Sequence, residues 1–251
     1  MQELIAELER AGQLHRITAP VDPELEITEI TDRISKSHGP ALLFENVGDS
    51  AFPVLTNAFG SYERMRKILD CRSFDDIGAR IEAYLKTKPP GNIKEKLKTL
   101  FTLKEVSGFF PRKVRSAPCQ AQVLGPDSGL LDLLPILTCW PHDGGPFITL
   151  PLVISKDPET GTQNLGMYRM HKYDRATTGM HWQYNKDGAR HFEKHRESNQ
   201  RMEVAVALGG NPVVTYASTA PLPPDVDELL LAGFLNNSAV DFVKARTVDL
   251  Y

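Results

Sequence analysis

The sequence predicts an α+β protein in two parts, an α/β unit followed by a β-rich unit. Three observations carry this. Apolar residues at helical spacing alternate with short apolar runs through the first third of the chain. Between Lys86 and Ser116 the composition turns basic and Pro-interrupted. From Pro118 onward, β-type runs bounded by turn residues take over.

In the first part, Leu4, Ile5 and Leu8 share one face of a helix that Gly12 stops. Asp22 and Pro23 have the chemistry of an N-cap and first helical residue ahead of Ile27, Ile30 and Ile34. ALLFENV (41–47) and PVLTNAF (53–59) suit strands. Ser73 to Asp76 is a capping-box-like start for a helix carrying Ile77, Ile81, Tyr84 and Leu85. KTKPPGNIKEKLKTLF and FFPRKVRSAP read as a connector with one short helix, its basic residues forming a solvated face. In the second part, CQAQVLG, FITLPLVIS, QNLGMYRMH, TTGMHWQY and MEVAVALG are strand-like. DPETG is a turn, because Pro158 fixes φ and Gly161 permits φ > 0. Such a series makes an antiparallel sheet or a barrel. PLPPDVDELLLAGFL then opens a helix with Leu229, Leu230 and Phe234, and VDFVKARTVDLY reads as a strand still running at Tyr251.

A chain of 251 residues, 41% hydrophobic and 24% charged, can bury a substantial core. A formal charge of −3 gives no global electrostatic reason to expect a nucleic-acid or acidic-membrane partner. Cys71, Cys119 and Cys139 form no CxxC pair, which argues against a disulfide framework or zinc site and for a reducing cytoplasm. The N-terminal segment lacks the features of a signal peptide, and no apolar run is long enough for a membrane span. GxGxxG, GxxxxGK[ST], GxSxG and HExxH are all absent.

The chemistry-bearing residues concentrate in NLGMYRMHKYDRATTGMHW (164–182). As one strand, residues 163–171 place Leu165, Met167 and Arg169 on one face and Asn164, Gly166, Tyr168 and Met170 on the other. Gly166 and Gly179 leave room for close approach by a ligand or backbone. A hairpin would bring Asn164 near His181, and an amide oxygen with a neutral imidazole can ligate a divalent cation. Arg169 suits bidentate capture of a carboxylate or phosphate. Asp143 with Gly144 and Gly145 marks a turn, either a plain hairpin or one whose amides face an anion. Ser218 and Thr219 offer hydroxyls in a Pro-stiffened loop. His142, His171, His191 and His195 read as structural or surface residues.

GPALLFENV, NAFGSYERM, DGGPFIT, NLGMYRM, VALGGNP and APLPPDVDE, in this order over nearly the whole chain, resemble the UbiD family of reversible decarboxylases of aromatic and α,β-unsaturated carboxylic acids. The resemblance implies an N-terminal α/β domain with connector (1–115) and a flavin-reductase-like split β-barrel (116–251), incomplete at its C-terminal end. It implies prenylated FMN, Mn²⁺ and K⁺, with Asn164 and His181 on the Mn²⁺. Met167, Tyr168, Arg169, His181, Trp182, Gln183, Lys186 and Asp187 would line the cofactor, and Ser218 would serve the K⁺ and phosphate region. Arg169 would also position the substrate carboxylate, making it the catalytic residue of this stretch. Where some relatives have Arg or a Gln-His pair, this chain has Met180-His181.

Further implied are a flavin prenyltransferase supplying the cofactor, and a homo-oligomer or a complementary C-terminal chain. The catalytic acids and a metal-completing glutamate are expected beyond Tyr251, so the isolated chain is expected to be inactive as a decarboxylase. An FMN-binding oxidoreductase and a non-catalytic flavin-binding or assembly subunit are the competing readings.

Overall fold

The computed structural model describes residues 1–85, 106–222 and 226–251. Residues 86–105, most of the connector expected to carry one short helix, lie outside them. The first part is a βαβ unit with an added hairpin strand. Helix α1 (Gln2–Arg10) buries Leu4 and Leu8, one turn apart. Strand β1 (Leu14–Ile17) leads through helix α2 (Glu26–Lys36) to strand β2 (Ala41–Phe44), which pairs parallel with β1, and strand β3 (Val54–Thr56) pairs antiparallel with β2. All four β2 residues are buried because the strand is central: Leu42 and Phe44 pack with Ile27, whereas Ala41 packs with Leu4 and Leu8. The α2 start differs from expectation. Glu24 forms an isolated bridge with Thr138, and Leu25 N–H donates to the Thr138 carbonyl, so this stretch is tied to the second part. Asp22 instead accepts the Glu24 N–H at 2.7 Å.

Helix α3 (Tyr62–Ile68), which the hydrophobic pattern does not reveal, is capped by Ser61 accepting the Arg64 N–H. Helix α4 (Phe74–Leu85) starts at the expected capping box: Ser73 N–H donates to Asp76 and Asp75 N–H to Ser73 Oγ.

Strand β4 (Arg112–Val114) emerges from the predicted connector. CQAQVLG gives no strand. A 3₁₀ turn (Pro118–Gln120) starts at Pro118, Val123 and Leu124 are exposed, and a second 3₁₀ turn (Pro126–Ser128) precedes the short helix α5 (Leu130–Leu133). FITLPLVIS divides around Pro151, which has no N–H to donate, into β5 (Phe147–Ile148) and β6 (Leu152–Lys156). QNLGMYRMH divides at Tyr168-Arg169 into β7 (Gln163–Met167) and β8 (Met170–Lys172), followed by β9 (Thr178–Met180) and β10 (Ala205–Ala207). Two three-stranded antiparallel sheets result, β10-β6-β7 and β5-β8-β9, and the chain crosses between them three times, at β5–β6, β7–β8 and β9–β10.

Helix α6 (Asp187–Glu197) packs against β6 and β7. Helices α7 (Pro212–Ala217) and α8 (Glu228–Asn236) follow, and strand β11 (Asp241–Val243) pairs parallel with β4. Beyond β11 the chain is turn and coil, closed by the Ala245 N–H to the Leu250 carbonyl. The fold is thus mixed α and β, and the described strands form four separate sheets with no closed barrel. One apolar cluster joins Leu4, Leu8 and Ile68 to Leu152, Leu165, Val214 and Leu235.

Candidate active site

The site grows from strand β7 and the crossing that follows it to β8. Strand β7 is the edge of its sheet, so its outward N–H groups need other partners. Leu165 N–H finds one in Glu228, whose Oε2 lies 3.1 Å away at the start of α8. Burial raises the Glu228 pKa to about 7, opposed by that N–H and reinforced by the nearby charges of Asp227 and Asp187. Asn164, beside Leu165, is also buried, and its amide nitrogen makes no hydrogen bond of normal geometry. Asn164, Asp187, Glu228, Arg190 and His191 line one cleft of about 20 Å³, room for a single water-sized occupant.

His191 anchors a buried polar pair at the cleft. Ser155, the cross-strand partner of Asn164, is 2.9 Å from His191 Nδ1. Burial lowers the His191 pKa, favouring the neutral ring. Burial alone would raise the Asp157 pKa, but the Lys194 ammonium and the N–H groups of Glu159 and Thr160 outweigh it and hold the carboxyl at about 2.

At the crossing from β7 to β8, Tyr168 is buried, its hydroxyl accepting the Gly188 N–H at 2.9 Å. Burial raises its pKa, against the Gly188 N–H and the neighbouring Asn164 amide. Trp182 meets Tyr168 edge-on at 4.9 Å, and the Lys186 ammonium lies 5.9 Å above the Tyr168 ring. Gly188 makes this possible, since a Cβ there would stand 2.7 Å from Trp182 and 2.8 Å from Tyr168. Next to Tyr168 in the chain, Arg169 forms an ion pair with Asp143.

The expected residues divide accordingly. Asn164 and Asp187 share the cleft, and Tyr168, Trp182 and Lys186 cluster beside it. Met167 packs on the core cluster, Gln183 is exposed in the turn before α6, and the Ser218 hydroxyl donates to the Thr215 carbonyl. The expected approach of His181 to Asn164 through strand pairing is not seen. Strand β7 pairs with β6 while β8 pairs with β9, so the register sets His181 opposite Arg169, whose carbonyl accepts the His181 N–H. His181 is exposed and not among the cleft residues. Glu228 is the functional candidate that the sequence reading missed, although it closes the APLPPDVDE motif. Among the described residues no three His, Cys, Asp or Glu side chains form a metal cluster, and the cleft offers two carboxylates and an amide, with Asp187 ion-paired to Arg190 in the same cleft.

Residues 112–251 match the 3-octaprenyl-4-hydroxybenzoate carboxy-lyase Rift-related domain of UbiD, and residues 5–81 match the corresponding N-terminal domain. The chain belongs to the UbiD family. An uncharacterized protein of Aquifex aeolicus is 44% identical over 100% of this UbiD-family chain and 52% of its own length. One from Archaeoglobus fulgidus is 44% identical over 100% and 51%. The chain therefore spans about half the length of the curated relatives it matches. Among solved structures, an evolved dimeric form of the UbiD-class enzyme HmfF from Pelotomaculum thermopropionicum, in complex with prFMN, superimposes with a TM-score of 0.81 at 28% identity, over 99% of this chain and 53% of that one. The closed form of Sedimentibacter hydroxybenzoicus vanillic acid decarboxylase gives 0.81 at 26% identity, over 100% and 51%. UbiD-class decarboxylases are thus the structural neighbours of this chain. No helix among its described residues is long and apolar enough to cross a membrane.

Proposed function

We propose that this chain supplies the cofactor- and metal-holding part of a UbiD-type decarboxylase acting on an aromatic or α,β-unsaturated carboxylic acid. The observation that carries the proposal is the cleft, in which a buried amide and two carboxylates converge beside Tyr168 in a chain with this family relationship. Asn164, Asp187 and Glu228 offer oxygen donors that suit a hard divalent cation such as Mn²⁺, with Asp187 exchanging its ion pair with Arg190 for the metal. A cation there would also answer the unpaired buried charge of Glu228. We assign Asn164, Asp187 and Glu228 to the metal, in place of His181. Tyr168, Trp182 and Lys186 border the flavin, and the Ser218 region takes K⁺, both elements resting on a split-barrel arrangement like that expected from the resemblance.

Prenylated FMN, when bound, supplies the electron sink that side chains lack. The protein's own part is positional. The cleft fixes the metal, the Tyr168–Trp182 pair excludes water, and Arg169 orients the substrate carboxylate. HmfF has been solved with FMN as well as with prFMN. The vanillic acid decarboxylase structures include one with a truncated ShVdcD, which favours an assembly in which a further chain, or further copies, complete the enzyme.

The test is Mn²⁺ titration by electron paramagnetic resonance, paired with the absorbance of protein co-expressed with a flavin prenyltransferase. Metal-dependent retention of the flavin is expected. A protein that binds neither Mn²⁺ nor flavin sinks the proposal.

A further inference from the structure

The structure assigns Asp143 as the positioning residue for Arg169, holding its guanidinium so that one free edge receives a carboxylate. This rests on the reading of Arg169 as the carboxylate anchor and adds what aims it. Arg169 Nη1 and Nη2 donate to the two Asp143 oxygens at 3.2 and 2.5 Å, an end-on bidentate pair. The guanidinium carbon also lies 3.8 Å from the Phe147 ring centroid. Phe147 is in turn stacked on its cross-strand partner His171, with centroids 4.3 Å apart.

The turn that presents Asp143 is built for close approach. Gly144 and Gly145 have φ of +80° and +146°, and a Cβ on Gly145 would stand 2.8 Å from His171 Nε2. Larger residues at these positions would be strained or push the turn off the stack, so the two glycines hold Asp143 in reach of Arg169.

Guanidinium chemistry then settles what is left over. Arg has five N–H donors, and the end-on pair uses one from each terminal nitrogen. Nε–H and the terminal N–H beside it remain as a second planar fork, matched to a second carboxylate. The Arg169 side chain is 35% exposed and that of Asp143 is 15% exposed, so the open side of the pair belongs to the guanidinium. An Arg held on one edge by a carboxylate and on one face by a ring loses less freedom when it binds a ligand.

The opposite role, Asp143 as an internal plug in the substrate's place, makes a prediction of opposite sign. Replacing Asp143 by Asn removes a negative charge, which by charge alone strengthens binding of any anion. Positioning requires the reverse. Calorimetric titration with benzoate is expected to show binding weakened on the order of tenfold in Asp143→Asn, with partial recovery in Asp143→Glu. Circular dichroism confirms that each variant is folded. Unchanged or tighter benzoate binding by Asp143→Asn overturns the assignment.

A second readout does not depend on the ligand. In ¹⁵N NMR of the arginine side chains, with Arg169→Lys identifying the signal, rotation of the Arg169 guanidinium is expected to be slow in the wild type and fast in Asp143→Asn. Fast rotation in the wild type overturns the positioning. Slow rotation in a wild type that ignores benzoate supports the positioning and overturns only the carboxylate reading of Arg169.

Discussion

At the residue scale, the site combines a charge that burial disfavours with a contact that only glycine permits. Glu228 accepts the Leu165 N–H in a buried place and shares its cleft with Asp187. Glu228→Gln keeps an acceptor and removes the charge. At pH 8, metal-free Glu228→Gln is therefore expected to be more stable than the wild type by about 2 kcal/mol. Added Mn²⁺ is expected to raise the melting temperature of the wild type far more than that of the variant. Equal metal responses in the two proteins would remove Glu228 from the metal site. Gly188→Ala sets two magnitudes against each other. Alanine is favoured over glycine by up to about 1 kcal/mol inside a helix, but the new methyl meets Trp182 and Tyr168 well inside contact distance. Overpacking costs about 1–3 kcal/mol, so a net loss is expected, with the Trp182 fluorescence maximum shifted. An unshifted spectrum with raised stability would show that the rings give way freely. Asn164 and Arg169 were singled out in the sequence by the chemistry of the NLGMYRM stretch, and Asp187 only by the family resemblance. The Glu228–Leu165 and Asp143–Arg169 contacts were not, because each joins segments far apart in sequence and no local pattern records which distant partner a side chain meets.

At the element scale, the β6–β7 hairpin shows why some segments were readable. The Asp157-Pro158 turn carries its own chemistry. Asp157 accepts the N–H groups of Glu159 and Thr160, Gly161 takes φ +75°, and the expected turn follows. The same carboxylate reaches Lys194 at 2.7 Å and so ties α6, with Asp187 at its start, to the sheet carrying Asn164. The Asp157 pKa is about 2 in the folded protein against an ordinary 3.8. Its stabilising contribution is thus full above pH of about 4 and is lost as pH falls towards 2. Unfolding midpoints measured between pH 5 and 2 are expected to fall less steeply in Asp157→Asn than in the wild type. Parallel acid limbs would show that Asp157 does not link helix to sheet. The divided strands were harder to read, because continuous apolar runs hide their breaks. FITLPLVIS at least displays Pro151, whereas QNLGMYRMH contains nothing that announces the crossing at Tyr168-Arg169. The shift of pairing from β7 to β8 there is why His181 faces Arg169 rather than Asn164.

At the scale of the whole molecule, the sequence divides into two textures but the interior does not. Leu8, in the first helix, belongs to the same apolar cluster as Leu165 on the edge strand of the site and Leu235 in the helix that Glu228 opens. The Thr138 contacts to Leu25 and Pro23 add a second tie between the parts. If the shared cluster governs stability, damage at the N-terminal end must be felt at the site. Leu8 is fully buried, and truncation to Ala should cost about 2–5 kcal/mol, the transfer free energy of the lost methyl groups plus that of the cavity. Both tryptophans, Trp140 and Trp182, lie in the second part, so their fluorescence reports on the half that Leu8 does not belong to in sequence. In urea, Leu8→Ala is expected to lower the midpoint of the tryptophan transition, with far-ultraviolet dichroism changing in the same single step. A tryptophan transition left at its wild-type midpoint while part of the dichroism is lost early would mean that the two parts unfold independently. The site's alignment would then have to be explained without the N-terminal helix, since a unit that unfolds alone cannot hold the β7 edge in place.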